Sequence, residues 1–84
     1  MQRIGVVGIV LQADKEQAKK VQDLLSQYAD IIVGRMGVPI KEHGVNTISV
    51  IFKGSNEDIS ALSGKLGKLN GVSVKSAITS VEIE

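Results

Sequence analysis

Two residues able to do chemistry stand out by their surroundings. His43 is the single histidine of the 84-residue sequence and sits in Lys41-Glu42-His43-Gly44. An imidazole acts as a general acid or base only with a partner in hydrogen-bond reach, and spacing fixes no serine or carboxylate beside it. The plain reading is an exposed residue between two strands. A metal role would need ligands from several chains, because the sequence has no cysteine and no second histidine. No catalytic residue, metal ligand or cofactor is therefore assigned. Arg35 lies in Gly34-Arg35-Met36-Gly37. A guanidinium flanked by glycines could clamp a carboxylate or phosphate through paired N–H donors. Its alternative is an edge arginine pairing with a surface acid.

Composition narrows the function classes. Ten Lys+Arg against nine Asp+Glu leave a net charge of +1, which gives no electrostatic case for a nucleic-acid or membrane surface. One Tyr and one Phe cannot supply the stacking platforms of single-strand binders. The apolar run Ile4 to Leu11 is too short for a bilayer, which needs about 20 residues, and carries no cleavage-site pattern. The expectation is a cytoplasmic protein. Its length fits a single domain over residues 1–84. Without disulfides, extra stabilisation of so small a core would come from self-association.

The elements that must position these residues repeat. Ile4 to Leu11 reads as a strand, Asp14 with Gln17 as a capping box, and Ala18, Val21, Leu25 and Tyr28 as one helix stripe. Ile31 to Val33 opens a second strand running toward Pro39. An offset of 41 then carries Ile4 to Val45, Val7 to Ile48, Leu11 to Phe52, Asp14 to Ser55 and Gln17 to Asp58. It also carries the helix stripe to Ile59, Leu62, Leu66 and Leu69, and Ile31 and Val33 to Val72 and Val74. Two βαβ halves predict an α+β ferredoxin-like βαββαβ sandwich. Its four-stranded antiparallel sheet has two helices on one face and the first and third strands in the centre. Pro39, Gly34 and Gly37 then fall on one edge strand and Lys75 on the other, where a missing donor or a charge is tolerated.

Val7, Ile9, Leu11, Ile48, Val50 and Phe52 should lie under the helices. The opposite face carries Ile4, Val6, Gly8, Val10, Val45, Thr47, Ser49 and Ile51, too apolar to face water. A second copy of the chain is expected on that face or at its edges. In the inferred register Arg35 points toward the core, so a bulge at Gly34 or the end of the strand should redirect it. Val81 and Ile83 have the opposite parity to Val72, Val74 and Ile78. A bulge near Ser80 or a separate tail strand, able to add to a partner's sheet, would accommodate them. Gly64 and Gly67 interrupt the second helix, each costing about 1 kcal/mol relative to alanine. They mark a close subunit contact or a tolerated weakness.

Val45 to Ile78, with its capped helix and its exit Leu66-Gly-Lys-Leu69-Asn-Gly71-Val72-Ser-Val74, resembles ACT-type regulatory domains and the C-terminal domain of nickel-responsive repressors. Over nearly the whole chain, three segments resemble a small stand-alone family labelled as iron-only hydrogenase system regulators. They are Arg3-Ile-Gly-Val-Val-Gly-Ile-Val10, Ile31-Ile-Val-Gly-Arg-Met-Gly37 and Ile59-Ser-Ala-Leu-Ser-Gly-Lys-Leu-Gly-Lys-Leu69. The resemblance implies an ACT-like fold, a homodimer or homotetramer, and a small effector near a subunit interface. The nickel site does not carry over, since only His43 is present. The first strand begins at once, so direct DNA binding is not expected and regulation would act through a partner protein. ACT-type sites use the first strand-to-helix loop, which points to Gln12, Ala13 and Asp14 together with Gly34, Arg35, Met36 and Gly37. The leading reading is thus a non-enzymatic, homo-oligomeric effector sensor. The alternatives are a ligand-free adaptor and a small enzyme on a ferredoxin-like dimeric barrel, the latter lacking a visible nucleophile–base pair.

Overall fold

The computed structural model describes residues 2–83. Its elements are β1 (Gln2–Gln12), α1 (Lys15–Gln27), β2 (Ile32–Ile40), β3 (Val45–Gly54), α2 (Asn56–Gly67) and β4 (Val72–Ile83). Short 3-10 turns, Ala29–Ile31 and Lys41–His43, lead into β2 and β3. The strands form one antiparallel sheet in the order β2-β3-β1-β4, the ferredoxin-like arrangement. β1 and β3 are central and proline-free, as expected, and Pro39 lies on an edge.

Alternation along the central pair decides where the core sits. Val7 stands opposite Val50, Gly5 opposite Phe52 and Ile9 opposite Ile48. These side chains point to the helix side, where Val7, Val50 and Phe52 are fully buried. α1 adds Val21 and Leu25 and α2 adds Ile59, Leu62 and Leu66, all fully buried. Ala18, Tyr28 and Leu69 complete the two stripes as partly buried neighbours. The repeat is therefore structural.

Both helices start at capped residues. Ser55 Oγ accepts from the Asp58 amide at 3.0 Å. Asp14 caps α1 differently from the expected box. Its short carboxylate accepts from the Glu16 amide at 2.8 Å, a two-residue reach, and Gln17 Oε1 is buried with no partner among the described residues. The turns into β3 and β4 close on Gly44 and Gly71, whose φ values of 65° and 74° suit glycine alone among common residues.

Two expectations about register are corrected and a third is settled between its alternatives. Ile31 lies in a 3-10 turn, so β2 begins at Ile32. Ile32 then stands opposite Phe52 and Gly34 opposite Ile51, which makes Val33 the extra residue of a bulge. Val33 is 64% exposed and does not play the part of Val74. That bulge leaves Arg35 on the helix side, opposite Val50, where it remains exposed at the edge of the sheet beside Gln22 of α1. Finally, of the two accommodations expected for the tail, the bulge near Ser80 is the one present and there is no separate strand among the described residues. β4 runs on through an irregularity in which Gly5 meets Ile78 but Arg3 meets Glu82. Two extra residues preserve the pleat, so Ile83, opposite Gln2, falls on the face away from the helices. Thr79 Oγ1 pins the bulge by donating to the Ile4 carbonyl at 2.8 Å.

Replacing the cap with Ser55→Ala should lower the unfolding free energy by about 1 kcal/mol. The urea midpoint reads this directly, and an unmoved midpoint would mean that the cap carries no weight.

Candidate functional site

α2 packs mainly on β4, and α1 lies over β1 beside α2. The helix side of β2 is left partly uncovered. There the residues that could fill the space are small or ring-closed: Gly37 and Pro39 on β2, and Ala18 on α1. A cleft of about 240 Å³ results. Leu11, Ile48 and Asn46 line it from the sheet, with Val38 and Thr47 at its border. Ala18 and Gln22, one helical turn apart, form the wall. Ile48 pairs with Gly37 and keeps 8% of its surface exposed, the most of any core residue. A glycine beside it offers no side chain to close over it.

Arg35 stands two residues before Gly37 on the same face of β2. Its guanidinium donates to Gln22 Oε1, linking edge strand to helix at the rim of the cleft. No carboxylate pairs with Arg35 among the described residues; the ion pairs are Arg3–Glu82 and Lys19–Asp23. The edge arginine thus has an amide partner in place of the expected surface acid.

The seven residues singled out by sequence do not form one patch. Arg35 and Gly37 share the helix side, whereas Gly34 and Met36 pair with Ile51 and Ser49 on the opposite face. Gln12, Ala13 and Asp14 lie at one end of the sheet. The Gln12 amide donates to the Gly71 carbonyl at 3.1 Å and the Ala13 amide to the Gly44 carbonyl at 2.9 Å. Gln12 pairs with Val45 and Arg35 with Val50, a separation of five residues along β3 or about 17 Å. Of the seven, Gly37 alone lines the cleft. Ala18, Gln22 and Asn46 were missed. Ala18 read as part of the apolar helix stripe, Gln22 as a helix-surface position, and Asn46 is hidden in a strand of β-branched residues. His43 is exposed in its 3-10 turn, as expected. Among the described residues no three His, Asp or Glu side chains cluster as a metal site would require. Gly64 and Gly67 face open space, with nothing packed within 4 Å of the place a Cβ would occupy at either position.

The order of strands and the one-sided helix layer define a ferredoxin-like α+β sandwich. Residues 3–76 match the TM1266-like family, described as "Iron-only hydrogenase system regulator, putative", and the chain belongs to that family. It is also similar to a solved structure, the uncharacterized protein TM1266 from Thermotoga maritima. Identity is 33%, the match covers 93% of this chain and 98% of that one, and the TM-score is 0.91. The chain matches no curated protein. No helix among the described residues is long and apolar enough to cross a membrane.

Because both partners of the Arg35–Gln22 bond are exposed and water can replace either, Arg35→Ala should change the folding free energy by less than about 1 kcal/mol. Chemical denaturation measures this. A larger loss would make Arg35 a structural clamp and remove it from consideration as a ligand group.

Proposed function

We propose that this protein is a non-enzymatic, ACT-like regulatory module of an iron-only hydrogenase system. In this reading it is cytoplasmic, works as a homo-oligomer and responds to a small effector held between α1 and β2. The family description supports the regulatory role. The observation that carries the effector is the cleft itself, apolar in its floor and bordered by a guanidinium that has no carboxylate partner among the described residues. Its 240 Å³ lie below the range of roughly 300–1,000 Å³ that drug-sized ligands use. A nucleotide is too large. A molecule of amino-acid size fits, with a compact apolar body over Leu11 and Ile48 and one carboxylate toward Arg35 and Gln22. The Asn46 amide offers a further hydrogen bond. Gln12, Ala13 and Asp14 follow Leu11 at the end of β1, beside the floor of the cleft but remote from Arg35, and would shape the neighbouring turn. The effect on the hydrogenase system passes through a partner protein.

A ligand-free adaptor is the second reading, favoured by the apolar sheet face described below. A thermal-shift panel of amino acids, 2-oxo acids, short carboxylates, nucleotides and divalent metals separates the two. A ligand at a hundred times its Kd adds about 2.7 kcal/mol to the native state, a rise on the order of 10 °C for a domain this size. The expected result is a stabilising small carboxylate whose effect is lost in Arg35→Ala and in Ala18→Leu, which fills the cleft. A panel with no stabiliser would favour the adaptor, and a response that survives both substitutions would move the site elsewhere.

A further inference from the structure

We infer that the face of the sheet away from the helices is the surface on which two copies of this chain pair, face to face. This specifies the oligomeric part of the reading above and does not depend on the effector. Seven large apolar residues are exposed among the described residues. Val33 is the bulged residue, and the strand register puts Val6, Val10, Met36, Val38 and Ile51 on this one face. Val81 continues it at the end of β4 that carries Ile83.

Area and charge both suit a second copy. The sheet is four strands wide and about eight residues tall in its paired region, an outline of roughly 500 Å². That is about a tenth of the 5337 Å² accessible surface, and two such faces together bury roughly 1,000 Å², the lower limit for a specific interface and the size of a weak dimer. Three rows cross the face. Ala77, Val6, Ile51 and Gly34 form one, Lys75, Gly8, Ser49 and Met36 the next, and Ser73, Val10, Thr47 and Val38 the third. Lys75 is the single charge in these three rows and stands at one edge, with Met36 at the other; Lys53, exposed opposite Ile4, borders them in the next row. A two-fold axis between the sheets and along the strands lays β4 of one copy over β2 of the other. Lys75 then spreads its stem over Met36 with the ammonium reaching solvent, and Gly8 meets Ser49 in the middle. The axis across the strands would stack Lys75 on Lys75, which like charge disfavours. Small residues at the centre let the sheets approach to about 10 Å.

The edges are poorly suited to the same task. β2 lacks an amide donor at Pro39 and is bulged at Val33, and β4 is bent at its own irregularity between Ile78 and Glu82. Both devices blunt strand-to-strand addition. The face is left as the place for a symmetric contact.

Sedimentation equilibrium of the full chain at tens of micromolar tests this, with Gly8→Glu as the main variant. A Cβ at position 8 meets only the Lys75 carbonyl, at 3.9 Å, so the isolated fold accommodates the new side chain. Val10→Glu, at a position already 44% exposed, repeats the test on an adjacent row. Val33→Asp is the control, at the exposed bulged residue of the β2 edge, which has no place in the paired rows. Wild type and Val33→Asp should be dimers. Both glutamate variants should keep a native circular dichroism spectrum and dissociate with a Kd raised about 100-fold or more. A monomeric wild type would overturn the inference and assign the face to a different protein. Folded glutamate variants that remain dimeric, or loss of the dimer in Val33→Asp, would overturn it in favour of the edges or the helices.

Discussion

Two helices can cover only one side of a four-stranded sheet, and the rest of this molecule depends on that constraint. The central β1–β3 pair places Val7, Val50 and Phe52 beneath α1 and α2 and, by the same alternation, turns Val6, Val10 and Ile51 the other way. A strand cannot bury one parity without presenting the other. In a chain with polar residues at every outward position this would end the matter. Here the outward set is apolar too, so the packing that completes the core also creates a surface at odds with water.

The same constraint explains the cleft. With α2 lying mainly on β4 and α1 over β1 beside it, the last strand to be covered is β2. Its helix-side residues Gly37 and Pro39 are too small or too rigid to reach α1, and Ala18 is too short to reach back. The opening is thus a consequence of coverage running out at the edge. Arg35 bridges that edge to Gln22, and its charge is tolerated there because the guanidinium remains exposed.

Much of the fold was legible because it rests on periodicity, which survives without tertiary information. The stripes through Val21 and Leu25 and through Ile59, Leu62 and Leu66, the caps at Asp14 and Ser55, and the central position of the proline-free strands follow from spacing and residue type. Register was less legible. Val33 looks like any β-branched strand residue, and nothing local says that it is the extra one opposite Phe52 and Ile51. The tail was half legible, since the irregularity near Ser80 was expected but its keeping the pleat was not. Val81 and Ile83 look out of phase only if every apolar residue is assumed to seek the helices, whereas they extend the opposite face beyond the end of the helix layer. The candidate site was legible least. Gly34 to Gly37 are adjacent in sequence but alternate between two faces, and the cleft is assembled from Ala18, Gln22 and Asn46, whose types carry no signal alone. The family resemblance supplied a label that residue patterns could not.

The pairing of Gln2 with Ile83 has a mechanical side. Segments attached before residue 2 and after residue 83 would leave the domain side by side. Tension between them would pull β1 and β4 apart crosswise, breaking one rung at a time from the Arg3–Glu82 end. The two added residues at Ile78 to Glu82 make that end the least regular part of the ladder. A load applied there meets a zipper, not a shear-resistant clasp, and would open the sheet at its β4 edge while β1, β3 and β2 stay together.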